Sequence, residues 1–562
     1  MKNKALLSAC FIGATALLAA CGNSGSGNNA GTGAGTGTGA ATGGGTSELA
    51  TAERRFDVEI PGFPLAEPMN VSILGRHVGI ADWQDMPFWL AIEEATNMNF
   101  TFTTPPNDDF LTNLNLAFAS GNLPDILFGA ALSAQMQIEH GSVGTLVPLQ
   151  DLIRENAPNI EKLLNDNPGI RNSITAPDGN IYALPTINQS FDAIWPVGPV
   201  YYNGIWMEAL NAEIPTTLDE FTALMFRFRD EMPGILGVDT VFPMSATDNF
   251  VWLRTWMLSF FGMTSRLSEA FGDEIVFNAT TDNYRAFLEW MNMAFTEGLI
   301  HPEMYTLSGD VQNALGRENL IGFFQAWHSH HLMGTDEEQA MDNPMLRPIR
   351  SEWSPEGVLP RSPGISIGQF AITSGAQDPA ALVRMIDFFY GPEGSMFAAQ
   401  GPEGYLWVYD THETGEQVRV IAPGIDPEDG NRGGRFTPYF GFPAPQLIIA
   451  DAPRILISLD EPIEFAFNEF LKEETLSTMG VYGKVAIPNV MLTAEEANFI
   501  SLMNADINIE IDRMEAQFIT GITPINDETW AQFQETLRVI GVEDIRSTWQ
   551  AAYDRWLEAG QN

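Results

Sequence analysis

Hydrophobic positions in this chain follow two periods, and the order in which those periods alternate predicts the architecture. Val71-Ser72-Ile73-Leu74 reads as a strand, and Asp85-Met86-Pro87 opens a helix with Phe88, Ala91, Ile92 and Ala95 on one face. Phe100 and Phe102 alternate in a second strand. A second helix places Phe110, Leu114 and Phe118 four apart and stops at Gly121, and Leu123-Pro124-Asp125-Ile126-Leu127-Phe128 is a short buried strand. Strand, helix, strand, helix, strand opens a parallel α/β domain, in which ligands bind beyond the carboxyl ends of the strands. The loops after Leu74 and after Phe128 are therefore the first places to look.

A second α/β unit follows. Gly179 to Pro185 is extended, Pro199-Val200-Tyr201-Tyr202-Asn203 reads as a strand, and Thr217-Leu218-Asp219-Glu220 is a capping box opening a helix through Phe221, Leu224, Met225 and Phe228. Gly316 to Phe324 reads as a helix end running into a strand. Ile365 to Ile372 alternates as a strand, and Asp378-Pro379 starts a helix through Leu382, Met385, Ile386 and Phe389. Thr493-Ala494-Glu495-Glu496 is another capping box, followed by Ile500, Asn504, Ile507, Ile511, Met514 and Phe518 at spacings of four and three until Gly521. Two more apolar faces end the chain, one on Trp530, Phe533, Leu537 and Ile540, the other on Ile545, Trp549, Ala552, Tyr553 and Trp556.

The amino-terminal stretch changes the picture. Lys2 and Lys4 precede an uncharged run from Ala5 to Ala20, shorter than the ~20 apolar residues a helix needs to span a bilayer. Residues 1–20 read as a signal peptide, and Leu18-Ala19-Ala20-Cys21 is the lipobox of bacterial lipoproteins, in which the Cys21 thiol takes a diacylglycerol. The alternative is a buried cysteine behind an ordinary secretory leader. Two acyl chains make a lasting tether to a membrane. Gly22 to Thr46 offers nothing apolar to bury, so residues 21–47 are expected to be a lipidated cysteine and a disordered linker, with a reach of about 25 to 30 Å. Gly22 stands where an aspartate would signal retention in a Gram-negative envelope, which favours the outer face of a Gram-positive cell membrane.

Cys10 leaves with the leader and Cys21 is consumed by lipid, so the exported fold has neither a thiol nor a disulfide, and its 36 Phe, 13 Trp and 23 Met must supply the core. The net charge of −44 repels nucleic acid and anionic head groups and excludes a nucleic-acid role. Lysine occurs only at 2, 4, 162, 472 and 484; because arginine stays charged where lysine titrates, the balance suggests adaptation to an alkaline or saline medium, against plain solubility.

Several motifs occur together in a specific order. Leu123-Pro124-Asp125-Ile126, Gly179-Asn180-Ile181-Tyr182-Ala183-Leu184-Pro185, Tyr202-Asn203 before a Trp-containing helix, and Pro215-Thr216-Thr217-Leu218-Asp219-Glu220-Phe221 resemble the family 1 extracellular solute-binding proteins, the maltose-binding-protein class of ABC importer receptors. Phe518-Ile519-Thr520-Gly521 with Ala551-Ala552-Tyr553-Asp554-Arg555-Trp556 is similar, more narrowly, to the long LplA-type lipoproteins of Firmicutes. The narrower family often has a basic residue where this chain has Asn203. The resemblance implies an α/β, two-lobed periplasmic-binding-protein-like fold of type II, with a hinge, an inter-lobe cleft and closure on ligand. It implies residues 56–186 and 312–372 in lobe 1, residues 187–311 and 373–562 in lobe 2, and delivery of the ligand to ABC permease subunits.

A sugar presents apolar C–H faces and a rim of hydroxyls, so its receptor needs flat aromatic plates with planar amides or carboxylates. Trp327, after a predicted strand where the family carries a ligand-facing aromatic, leads the candidates with His328 beside it. Trp83, Trp195, Trp407 and Tyr405 follow, with Arg76 and Phe324 behind, and Trp83 and Trp327 are expected to face a common space. The competing reading for each tryptophan is core packing. Asp125 reads as a structural cap more than a ligand contact. His328-Ser329-His330-His331 has no spaced Cys or carboxylate partners and reads as a polar loop, and Asp426 to Asn431 lacks the glutamate of a calcium loop, so no metal or cofactor is expected. Gly364-Ile365-Ser366-Ile367-Gly368 matches a hydrolase elbow by letter, with only His412 after it, but strand alternation continues through it. The expectation is a carbohydrate receptor, not an enzyme; a surface glycoside hydrolase and a receptor for peptides or other small solutes are the alternatives.

Overall fold

Strand Met69–Gly75 is the hub of a six-stranded mixed sheet, pairing in parallel with Met98–Thr103 on one side and Ile126–Phe128 on the other. Beyond Ile126–Phe128 the sheet continues through the reversed strand Ile365–Ile372, then Leu184–Asn188, then Leu447–Ile448. The computed structural model describes residues 56–560 apart from 78–79, 248–249, 428–431, 440–443, 451–452 and 464–465. Cys21 and the linker, and most of the 426–431 loop, lie outside the described residues.

The sequence pattern forms these elements for the expected reasons. Pro87 starts the helix Pro87–Thr96, which buries Phe88, Ala91, Ile92 and Ala95. Helix Asn107–Ser120 ends at Gly121 in the left-handed conformation. Both capping boxes are made, Thr217 with Glu220 ahead of helix Leu218–Leu236 and Thr493 with Glu496 ahead of helix Ala494–Ile519. A smaller sheet has Ile321–Gln325 at its centre, antiparallel to Val200–Tyr202 and parallel to Phe242–Met244.

Two large cores sit on these sheets. One draws its side chains from Phe56 to Ile187 and from Phe370 to Leu447, the other from Trp195 to Leu359 and from Phe467 to Ile545. These cores are two lobes. The boundaries differ from those the resemblance implied: strand Ile321–Gln325, expected in lobe 1, is the middle strand of the second sheet, and helix Pro379–Asp387, expected in lobe 2, packs in the first core. The physical reason is that Ile321, Phe323 and Phe324 are buried and Ile321–Gln325 has hydrogen-bonding neighbours on both edges, so the segment is committed to the interior of the second sheet.

Among the described residues, the segments of the two cores are therefore linked by three stretches, between 188 and 200, between 359 and 365, and between 448 and 467, and Met491 further on belongs to a smaller cluster with Leu74 and Leu127 of the first sheet. The crossings are joined: Ser362 N–H donates to Ile194 O at 2.8 Å, Asn188 N–H to Gly364 O at 2.9 Å, and Gln189 N–H to Ile448 O at 2.9 Å, while Arg361 N–H donates to Lys484 O of the second lobe at 3.0 Å. Lys484 is held in turn by Glu269, whose fully buried carboxylate lies 2.8 Å from its ammonium and accepts from Asn278 and Thr264. Among the described residues, no helix is long and apolar enough to cross a membrane.

Candidate functional site

Trp327 follows strand Ile321–Gln325 and is 57% exposed, whereas Trp195, on the first crossing, is buried. Their ring centroids are 6.1 Å apart with planes tilted by 36°. Trp195 is fixed from behind, its Nε1–H donating to Thr475 Oγ1 at 3.0 Å. Trp327 is fixed through its backbone, whose carbonyl accepts from the Tyr201 hydroxyl at 3.2 Å. Gly198 makes the approach possible: a Cβ there would meet the Ala326 carbonyl carbon at 2.4 Å and Trp327 N at 2.6 Å. The result is an aromatic shelf with a rigid base and an open upper ring.

His328 stands edge-on to Trp195 at 6.4 Å. It caps the short helix Ser329–Met333, in place of the polar loop the sequence suggested. The His328, His330 and His331 rings gather there, 5.5, 5.2 and 4.3 Å apart pairwise. Burial, reinforced by the neighbouring histidines, pushes His328 and His330 down to about 4, and the partial burial of the more exposed His331 lowers it too, so all three rings are neutral at neutral pH.

Next to the shelf along the chain, the first two crossings, with Gly483 and Val485, line an open pocket of about 410 Å³ whose wall includes Asn188, Gln189, Ser190, Ile194, Arg361 and Ser362. Asn188 Oδ1 accepts from Ser190 N at 2.9 Å and from its hydroxyl at 2.6 Å, which fixes the turn leaving strand Leu184–Asn188. The wall therefore presents amides, hydroxyls and a guanidinium, the groups that recognise hydroxyl-rich ligands. Sequence reasoning missed Asn188, Gln189 and Arg361; their signal was the position of the first two at the carboxyl end of a strand.

Other candidates lie elsewhere. Trp83 is 2% exposed, stacked on Trp89 at 5.5 Å with Phe102 and Phe128 edge-on to it, and so does not face Trp327 across a common space. Gly75 leaves room for this indole, since a Cβ there would fall 2.2 Å from Trp83 Cη2. Phe324 is buried against Tyr201 at 5.9 Å. Tyr405 stacks on Phe56 at 5.7 Å beside the first core. Trp407 is buried in a separate three-stranded sheet, under the Arg419 guanidinium at 4.1 Å. Asp125 accepts from Ser72 N and Oγ at 2.7 and 2.6 Å, stapling two strands of the large sheet. Arg76 lies just past strand Met69–Gly75 with its guanidinium 4.8 Å from the Phe110 ring centre. Ser366 sits within strand Ile365–Ile372, and both His412 ring nitrogens are engaged, by Thr414 Oγ1 at 3.1 Å and Glu461 O at 3.0 Å, so the elbow has no triad.

No protein-family model matches the chain. A fructooligosaccharide ABC transporter substrate-binding protein, FusA of Streptococcus pneumoniae, is 22% identical over 519 residues, 89% of this chain and 93% of the relative. Its structure with kestose covers 87% of this chain and 99% of that one, with a TM-score of 0.68 and 20% identity. A polygalacturonan/rhamnogalacturonan-binding protein of Bacillus subtilis is 24% identical over 241 residues, 42% of this chain and 45% of the relative. An extracellular solute-binding protein from Bifidobacterium longum subsp. infantis gives a TM-score of 0.72 at 20% identity, over 87% of this chain and 98% of that one. Each of these relatives is named as a binding protein. With two lobes, three crossings and a reversed strand inside the first sheet, the chain is a homologue of the substrate-binding proteins of ABC transporters and carries their type II fold.

Proposed function

We propose that this protein is held by lipid on Cys21 at the outer face of the cell membrane, where it captures an oligosaccharide and passes it unaltered to ABC permease subunits. The observation that carries the reading is the exposed Trp327 ring resting on the buried, hydrogen-bonded Trp195, next along the chain to a cavity walled by Asn188, Gln189, Ser190 and Arg361. A flat ring accepts the C–H face of a sugar, and the amides and hydroxyls bond its rim. The names of the relatives point to the same class of ligand, one a fructooligosaccharide receptor and the other a receptor for galacturonans. The two lobes close about the three crossings, and binding is the whole activity.

A thermal-shift and calorimetric screen of fructo-oligosaccharides, neutral oligosaccharides, oligogalacturonides and peptides tests this. A ligand at a hundred times its dissociation constant adds ~2.7 kcal/mol to stability. Oligogalacturonides belong in the panel because Arg361 gives an anionic sugar a partner in the cavity wall. Trp327→Ala is expected to weaken binding of the ligand found by roughly five- to thirty-fold, about 1–2 kcal/mol, with little change in the unliganded melting temperature. Unchanged affinity would remove Trp327 from the site; a shift with peptides alone would change the ligand class, and shortened sugars after incubation would make the protein a hydrolase. Cys21→Ala is expected to release the protein from the membrane fraction.

A further inference from the structure

We propose that His328, His330 and His331 form a site for one divalent transition-metal ion of the zinc class, set at the edge of the Trp195–Trp327 shelf. One nitrogen from each of the three rings lies within 4.8 Å of the others. Ligands around a tetrahedral zinc stand roughly 3.4 Å apart, given bonds of about 2.0–2.1 Å, so small ring rotations complete the set. His331 is exposed and has room for that rotation.

The short helix is built to present these rings. Positions 329, 332 and 333 face inward: Ser329 is fully buried with its hydroxyl donating to Ala340 O at 3.2 Å, and Leu332 and Met333 pack in the second core. Positions 328 and 331, one turn apart, are left on the opposite face, with 330 beside them. The Phe467 ring forms a wall, edge-on to His328 at 5.7 Å and to His330 at 5.2 Å. His330 Nδ1 is buried and has no hydrogen-bond partner among the described residues, a donor or acceptor that a metal bond would satisfy. Three imidazoles with no carboxylate in the cluster suit zinc, copper or nickel and not calcium or magnesium, and three protein ligands leave a fourth position for water or another donor.

The test uses the full chain without a histidine tag, stripped with chelator and titrated with zinc chloride by calorimetry, with Co²⁺ as a spectroscopic probe. One equivalent of zinc is expected, together with the visible ligand-field absorption of four-coordinate cobalt. His330→Ala and His331→Ala are each expected to weaken zinc binding by at least about tenfold and to lose the cobalt spectrum. Melting curves of the metal-free variants report folding; His331, being exposed, keeps the test valid if His330→Ala misfolds. No zinc uptake in large excess of metal, or unchanged affinity and stoichiometry in His331→Ala and in the triple alanine variant, would overturn the proposal. Neither outcome depends on which sugar the shelf takes.

Discussion

Trp83 and Trp327 are the same residue type, each in the segment that follows a strand, and the structure gives them opposite roles. What separates them is the neighbour that each indole meets. Gly75, eight residues earlier, has no side chain and lets the Trp83 ring turn into the first core, whereas Trp327 is tied by its backbone and leaves its ring outside. A local pattern cannot report this, because the decision rests on one missing Cβ at a distance in sequence. The consequence is measurable. Trp83→Ala is expected to lower stability by about 3–5 kcal/mol, the cost of a large aromatic cavity, as a reduced urea midpoint, while surviving folded protein binds its ligand with near-normal affinity. A loss of affinity without loss of stability would return Trp83 to the site. Trp195 was legible as a candidate, but its partner Thr475, 280 residues away, was not.

Long elements were legible because their periodicity repeats. The Ala494–Ile519 helix begins at its capping box, buries Ile500, Ile507, Ile511 and Phe518, and ends just before Gly521, all readable from spacing. The three-residue strand Phe242–Met244 carries too few positions to show alternation, whereas Val200–Tyr202 was legible within Pro199–Asn203; the lobe expected for Ile321–Gln325 came with the resemblance, because a strand apolar on both faces does not say which sheet it joins. Pairing between elements was equally hidden. Glu496 closes its own capping box and also bonds Arg555 of the last helix, at 2.7 and 2.5 Å. Burial alone would push its carboxyl up, but Arg555 and Thr493 outweigh burial and hold it below the usual carboxylate range. Its folded value thus lies below the unfolded one of about 4.3, so its contribution is full above that pH and is lost as pH falls through the folded value. Denaturation midpoints followed from neutral to acid pH should fall less steeply in Arg555→Ala than in the wild type. Parallel slopes would show that the pair adds nothing.

At the scale of the whole molecule, 72 acidic residues against 28 basic ones leave a net charge of −44 on a chain whose described residues include no cysteine. Self-repulsion of that size opposes the compact state and is screened within about 10 Å at 0.1 M salt. The melting temperature is therefore expected to rise between low and moderate ionic strength, by several degrees, in a buffer of fixed pH. A flat response would mean that the surface pairs already balance the charge. The three joined crossings have a further consequence for how the protein is made. Neither core is a continuous length of chain, the first needing residues up to 447 and the second residues up to 545. A polypeptide threading outward from its amino end must then stay unfinished until nearly all of it has emerged, and its early, aromatic-rich portion waits longest for a partner. For the exported, lipid-held protein proposed above, export speed and holding chaperones, more than final stability, would set how much of it survives.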